Sequence, residues 1–592
     1  ALACHYRVAV PSAKVGLPEV QIGILPGAGG TQRLPRLIGP KAALDMITSG
    51  RHVPAEEANR LGIIDEVVAE GDLKGAAVAF ARRVAGQRPL PRIRDKGEKL
   101  AEGTPALFEA ARKAIARRAR NQRAPYACIE AIEAACTLPF AEGLALERKL
   151  FDEQVGSDEA KALRYAFFAE REAQKIPFIG RDVPLRPTDA PGVVGAGTMG
   201  GGIAMSFADY GFDVKITDAT PEALERGMSR IRSNYETSVR RGSLAQDEME
   251  RRFARIHPVP GIDDLVECDV IIEAVFEQID VKQEVWKKLD AAIKPGALLY
   301  SNTSGIDIDI MANATSRPQD VAGTHFFAPA NVMKLFEVVH GTKSAPDVIA
   351  TAMALGRKIG KVSGLAGNGD GFVANRSRAP FSTEMIIMLE EGALPEQVDK
   401  VMVDFGYPIG PFATADLSGL DIGYDTRKRR AAQYPNYRKQ PIADRVVEAG
   451  RLGQKNGKGW FRYEPGDRTP HPDPEVTRII KETAAELGVP QHAFTDDEIL
   501  RRLLFASVNE ACRILDEGKA LRASDIDVMW LYGFGFPRYR GGLMYWADGI
   551  GVREVYNQIA AWHQRYGERW VPSPLLRRLA EAGTPLREAT GN

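Results

Sequence analysis

Hydrophobic and polar positions along this chain change period several times, and each change predicts a different kind of structure. Over 1–95, short β-like runs (YRVAV, 6–10; IIDEVVA, 63–69) alternate with helical ones (PKAALDMITSG, 40–50). Residues 104–138 read as helix, and the basic stretch ARKAIARRARNQR (111–123) within them reads as a solvated face. Residues 142–176 carry a long amphipathic helical pattern with a break expected at Gly156. PFIGRDVPLRPTDAP (177–191) reads as a linker. From Gly192 to about Gly360, strand and helix signals alternate, the pattern of a parallel sheet. Pro191 is disfavoured inside a central strand, so the first strand is expected to start at Gly192.

Beyond Gly364 the pattern is helical, and it repeats. EMIIMLEEGALPEQVDKVMVDFGYPIGP (384–411) aligns with EACRILDEGKALRASDIDVMWLYGFGFPR (510–538), with matching Glu-to-Glu-Gly and Gly-to-Asp spacings and a short insertion before the last Gly-x-x-Pro. A duplicated helical domain is the expectation. In that register Arg501 stands where the first copy has Asn375, so the second copy is expected to lack a site of its own. A Pro-rich stretch, EPGDRTPHPDPE (464–475), separates the copies.

At 592 residues the chain is too long for one core. Lysine plus arginine and aspartate plus glutamate both number 78, which argues against a general nucleic-acid or membrane-surface binder. No apolar run approaches the roughly eighteen residues of a membrane span. The five cysteines (4, 128, 136, 268 and 512) form no Cys-x-x-Cys pair, so a reducing compartment and no metal site are expected. The C-terminus is not a Ser-Lys-Leu tail, and a bacterial-type cytoplasmic location is the expectation. The chain begins inside an apolar stretch, ALAC, which suggests a fragment.

One motif carries its own chemistry. GVVGAGTMGGGIAMSFADYGFDVKITDA (192–219) places Gly195, Gly197 and Gly200 after a β-run, opens a helix at Thr198 and Met199, and ends a second β-run at Asp218. Those glycines allow a tight turn and close approach to a pyrophosphate at a helix N-terminus. Asp218 stands where a carboxylate accepts from an adenosine ribose and repels a 2′-phosphate, which favours NAD over NADP. Further on, His325 and Glu337 lie twelve residues apart with Pro329 between them. A loop returning the carboxylate to the imidazole would make a general base, although a histidine between apolar neighbours is also what a packed core histidine looks like.

GAGTMGGGIA, SNTS (301–304), HFFAPANVMKLFEVV (325–339) and GNGDGFVANR (367–376) resemble the L-3-hydroxyacyl-CoA dehydrogenase family. GLPEVQIGILPGAGGTQRLPRLIG (16–39) resembles the enoyl-CoA hydratase/isomerase (crotonase) family. In this order they look like a multifunctional enzyme of fatty-acid β-oxidation. The resemblance implies an α/β plus all-α chain: the C-terminal part of a crotonase fold (1–140), a linker helix and linker (141–187), a Rossmann NAD domain (188–364), and two helical dehydrogenase domains (365–475 and 476–592). By motif, His325 is implied as the base, Glu337 as its orienting partner, and Ser304 as a donor to the substrate oxygen. Asn375 is implied to hold the thioester end or position His325, and Glu277 and Lys282 to line the NAD site. Ala328 replaces the Asn of the usual HFFNP, which removes one supporting hydrogen bond. Glu19 is implied as one hydratase carboxylate. Its partner carboxylate and the oxyanion hole belong to a segment before ALAC, so hydratase and isomerase activity are expected to be lost in this chain. The Gly27–Gly30 turn is read as a helix-opening loop of that fold, not a second nucleotide site. Acyl-CoA substrates are implied, and a thiolase subunit is the partner the resemblance brings in. A different NAD-dependent β-hydroxyacid dehydrogenase and a CoA-binding pseudoenzyme stay open as alternatives.

Overall fold

The computed structural model describes every residue except Arg181, Asn436 and Asn592. It divides into two compact units. One is Ala1–Phe168 with the short stretch Arg538–Gly541; the other is Ala169–Pro537 with the chain from Gly542 onward.

In the first unit the β-like runs shrink to two-residue strands. Val8–Ala9 pairs with Glu66–Val67, and Lys14–Val15 with Val53–Pro54. Helices carry the core: α1 (Gly30–Ile38) packs on Pro40–Ser49 and Ala124–Thr137, and α2 (Phe140–Val155) on the latter. Leu25, Ile47, Ile129 and Ile132 are fully buried among them. The single helix expected over 104–138 is instead two, Pro105–Ile115 and Ala124–Thr137. Pro125 in the first turn of the second explains the division, because proline opens a helix but cannot continue one. The basic stretch therefore crosses a turn.

The second unit is built on an eight-stranded sheet. Its strands are β1 (Pro191–Val194), β2 (Val214–Thr217), β3 (Ile256–Pro258), β4 (Val270–Glu273), β5 (Leu298–Ser301), β6 (Val321–Phe326), β7 (Leu335–His340) and β8 (Val362–Gly367). The order is β8-β7-β6-β5-β4-β1-β2-β3. All neighbours are parallel except β6 and β7. The strand begins at Pro191 and not at Gly192; as first residue, proline costs the ladder little. The chain order reverses between β1 and β4, so the glycine turn after β1 opens at the topological switch point, where such sheets bind ligands. The turn leads into α3 (Thr198–Asp209). Val193, Ile216, Ile272, Leu298 and Val338 fill the core.

The helical repeats pack through their first helices, α4 (Ala374–Glu390) and α5 (Asp496–Asp516). Two arginine–glutamate clamps relate them reciprocally. Arg376 of the first copy reaches Glu510 (2.7 Å) and Glu517 (2.6 Å) of the second. Arg502 of the second reaches Glu384 (2.5 Å) and Glu391 of the first. Residue i meets j and j meets i, the signature of a two-fold contact made within one chain. The expected Gly-to-Asp match needs correcting. Asp399 accepts from the N–H groups of Phe412 and Ala413, and its counterpart is Asp527, which accepts from Met544 and Tyr545. Asp525, at the matching spacing, pairs with Arg522 instead. The insertion thus falls before the capping aspartate, because what the fold conserves is the carboxylate under the next helix start.

Candidate functional site

The glycine turn is shaped for a dinucleotide. Gly195 has φ +102°, and a Cβ there would stand 2.6 Å from the Ala274 carbonyl oxygen. A Cβ on Gly200 would stand 1.7 Å from the Gly195 oxygen, so helix and strand approach as closely as backbone allows. A Cβ on Gly197 meets nothing within 4 Å, leaving open space over the turn. No side chain caps α3, whose first residues Thr198 and Met199 leave N–H groups for an anion. Asp218 ends β2's run and accepts from Ala196 N–H (2.6 Å), which ties the acidic residue to the turn itself. These residues fit a bound NAD.

The second cluster is carried by the β6–β7 hairpin. His325 and Glu337 are opposite partners in its register. Glu337 Oε2 lies 2.9 Å from His325 Nδ1, and its Oε1 accepts from Val373 and Ala374 N–H, each at 2.9 Å, at the start of α4. Glu337 is fully buried and His325 is 6 % exposed, with Phe327 and Phe372 against the ring. Among the described residues no hydrogen bond to His325 Nε2 is formed, so that nitrogen is left for chemistry. An imidazole with Nδ1–H committed to a carboxylate presents a basic Nε2.

Ser304 is exposed at the end of β5's loop. Its N–H (2.8 Å) and hydroxyl (3.0 Å) both donate to Glu277 Oε1, as does Thr303 Oγ1 (2.7 Å). Asn375 Nδ2 donates to the Ser304 carbonyl (3.4 Å); among the described residues it makes no hydrogen bond to His325, whose orientation comes from Glu337. Burial pushes the Glu277 carboxyl up, but the Lys282 ammonium and the Thr303 and Ser304 donors outweigh it and hold the group below its ordinary value. Lys282 itself is 1 % exposed, bonded to Glu273 (2.6 Å) with Glu277 at 3.4 Å, so it lies behind Glu277 and does not face the cleft. Sequence reasoning missed Glu273, which also accepts from Trp286 (3.1 Å) and Ser301 (2.7 Å). A carboxylate ending an otherwise apolar strand was the available signal. It also missed Asn302, whose side chain accepts from Phe326 N–H and joins the two loops.

In the first unit, Glu19 opens a short 3₁₀ turn and lines a cavity of about 790 Å³ with Leu17, Ala28, Gly30, Arg33 and Met46. Burial raises its carboxyl, and its Oε2 has no hydrogen-bond partner among the described residues. Glu19 is the one carboxylate lining this cavity among the described residues. The Gly27–Gly30 turn is held by Glu147 of α2, which accepts from Gly29 N–H (2.6 Å) and Thr31 N–H (3.0 Å) and from the Thr31 hydroxyl. Those three donors are thereby committed to Glu147. Glu147 was missed too; it sits on the same helix face as the buried Gly143, Leu150 and Gln154.

Comparison with known proteins agrees with this geometry. The family model of the 3-hydroxyacyl-CoA dehydrogenase NAD-binding domain matches residues 191–367. That of the C-terminal domain matches twice, at 371–463 and 499–591, and that of enoyl-CoA hydratase/isomerase matches 1–93. The peroxisomal bifunctional enzyme of Danio rerio is 41 % identical over 99 % of this chain and 83 % of its own length. A peroxisomal fatty acid beta-oxidation multifunctional protein of Oryza sativa is 35 % identical over 99 % of this chain and 82 % of its own. The solved dehydrogenase part of multifunctional enzyme 1 from C. elegans is similar over 70 % of this chain and 96 % of its own, at 25 % identity and a TM-score of 0.54. These relatives are named for the peroxisome, which overturns the expectation of a bacterial-type cytoplasmic location; the lack of a C-terminal Ser-Lys-Leu was no guide to compartment. Among the described residues no helix is long and apolar enough to cross a membrane. The chain belongs to the multifunctional β-oxidation enzymes that join an enoyl-CoA hydratase/isomerase domain to an NAD-dependent 3-hydroxyacyl-CoA dehydrogenase.

Proposed function

We propose that His325 is the general base in the NAD-dependent oxidation of L-3-hydroxyacyl-CoA to 3-ketoacyl-CoA by this chain, with Glu337 as its orienting partner. The observation that carries this reading is the buried 2.9 Å contact between His325 Nδ1 and Glu337, itself held by two N–H groups at the start of α4. Held at the glycine turn and Asp218, an NAD would supply the acceptor for the hydride that leaves C3. His325 Nε2 takes the C3 hydroxyl proton, and Glu337 stabilises the imidazolium that results. The exposed Ser304 hydroxyl turns from Glu277 to the substrate oxygen, and Asn375 holds the Ser304 loop beside it. Glu277 faces the cofactor, and Lys282 acts from behind it by keeping that carboxylate charged. Asp218 accepts from the ribose and disfavours a 2′-phosphate. Replacing His325 with Gln should cut kcat roughly 10²–10⁴-fold while NADH binding stays near normal; near-normal turnover would remove His325 from the mechanism.

Glu19 serves the hydratase chemistry as a carboxyl whose raised proton affinity suits it to deliver a proton to enoyl-CoA. Hydration of crotonyl-CoA, the activity expected from the sequence to be lost, is read beside NAD-dependent oxidation on the same preparation: whatever hydration the parent chain shows should fall in Glu19→Gln while oxidation is unchanged. Equal hydration in both proteins would discard this role. A thiolase partner, which would cleave the 3-ketoacyl-CoA product, is the finer reading of the same pathway; co-elution of a thiolase with the full chain tests it.

A further inference from the structure

Beside the loop that joins β6 to β7 lies a polar cavity of about 260 Å³, lined by Ser206, Asp209, Arg252, Asn331, Lys334 and Lys361 among others. It is remote from the glycine turn. Asp209 ends α3 and the turn opens it, so about 16 Å of helix separates them.

The charges here do not balance within the cavity. Arg252 is committed to Asp209 (3.1 Å) and Glu248 (2.8 Å). Lys334 and Lys361 have no carboxylate partner among the described residues. Lys334 Nζ donates to the Gly360 carbonyl at 3.3 Å. Lys361 is 7 % exposed, and its Nζ donates to the carbonyls of Ala330 and, at 2.8 Å, Met333. An ammonium has three donors, and two are used. A buried cation satisfied by two carbonyls and the face of the Phe326 ring (5.8 Å) is expensive, and a second lysine beside it adds repulsion. Burial first and Lys334 second push the Lys361 ammonium down to about 8, against the opposing pull of the Asp209 carboxylate. Capping two loop carbonyls explains Lys361 but not why a second lysine lines the same polar space.

We propose that this cavity binds a small oxyanion of the phosphate or sulfate class between Lys334 and Lys361. Its volume is below the roughly 300–1,000 Å³ of pockets that hold whole cofactors, so a free ion fits and a nucleotide does not. Charge-assisted hydrogen bonds from two ammonium groups would replace the missing carboxylate. Ala330 and Met333 lie in the loop that connects the strands of His325 and Glu337, so an ion held by Lys361 stiffens that loop. The ion site stands without any role for His325; only an effect on turnover rests on the reading above.

The test uses the full chain and inorganic phosphate, with chloride at matched ionic strength as control. Thermal unfolding should rise with phosphate and saturate, with a dissociation constant on the order of 1 mM or tighter. Amide exchange over 327–334 should slow in phosphate. Lys361→Met also removes the cation that holds two loop carbonyls, so Lys334→Met at the exposed wall carries the test: it should lose the saturable response and keep NADH binding. A response that chloride matches, that never saturates, or that survives in Lys334→Met would mean an adventitious ion only, and would overturn the proposal.

Discussion

In the first helical repeat, the start of α4 gives the N–H groups of Val373 and Ala374 to Glu337. In the second, the matching residues already lie inside α5, which begins at Asp496; the Ile499 N–H is used within the helix, on the Thr495 carbonyl. Arg501 then occupies the place of Asn375 and pairs with Asp497 (2.8 Å) and Glu554 (3.0 Å). The skeletons are otherwise alike. Each copy caps a helix start with one aspartate, Asp399 or Asp527, and clamps a later segment with another. Asp416 accepts from Trp460 and Phe461, and Asp548 from Leu586 and Arg587. A helix that starts a few residues earlier is thus enough to turn a site-building copy into a packing one. Its donors have been spent internally before they reach a ligand or a carboxylate.

The clamps between the copies differ in depth, and that difference sets the largest expected effect. Arg502 is fully buried, and Glu384 and Glu391 are shared with Arg569 (2.9 and 3.1 Å). Arg502→Met leaves two carboxylates buried with one cation, and should cost about 3–5 kcal/mol in urea unfolding. Arg376→Met breaks the mirror-image clamp, where Glu517 is 47 % exposed, and should cost about 1 kcal/mol. Equal costs would mean that the two-fold relation is energetic as well as geometric.

A smaller effect is a pH dependence carried by the first copy's buried aspartates. Burial pushes the Asp399 carboxyl up to about 7, against the Phe412 and Ala413 N–H groups that favour its anion. The unfolded chain releases that proton near the ordinary aspartate value of about 4. Between those values the folded state binds the extra proton, so this group's contribution to stability is full at low pH and is lost as pH rises toward 7. Asp416, pushed up by burial to about 6, acts in the same direction over a narrower range. Asp399→Asn should therefore show a shallower fall of urea midpoint between pH 4 and 7 than the parent chain. An unchanged slope would show that Asp399 stays ionised throughout.

The smallest effect expected is from Arg501→Asn, which restores the first copy's residue in the second. Only half-exposed pairs are lost, worth within about 0.5 kcal/mol. The bound NADH per chain, counted by fluorescence titration, should stay the same, because the glycine turn shaped for NAD lies on the sheet and the substitution supplies no second one. A second bound equivalent would break the contrast drawn between the copies.

Local features were legible from residue order. The glycine spacing and the terminal Asp218 marked the βα turn, since positive φ and close approach leave few substitutes for glycine. The duplicated pattern marked the two helical copies. His325 and Glu337 stood out as candidates, but taken alone a histidine between apolar neighbours reads more often as a packed core residue. Strand register sets the two residues opposite each other, which periodicity does not announce. Glu273, Glu147 and the true partner of Asp399 were not legible, because each acts on a segment that its own helix or strand pattern does not announce.

By itself, then, the sequence determined most of the second unit's strands and helices, which turn can approach a pyrophosphate, and which carboxylates and imidazole are available; in the first unit it announced longer strands than form there and one helix over 104–138 where two form. Those are properties of short stretches, governed by backbone sterics and by the period of apolar positions. Only the tertiary structure decided which of these groups meet. The antiparallel pairing of β6 and β7 brings Glu337 to His325, and the start of α4 orients that carboxylate from the other side. Reciprocal arginine clamps bind two copies of one helix pattern into a two-fold pair. Two lysines far apart in sequence, Lys334 and Lys361, are left facing one cavity with no carboxylate paired to either among the described residues. Such meetings depend on contacts between distant segments, and a hydrogen bond between them leaves no periodic trace in either segment.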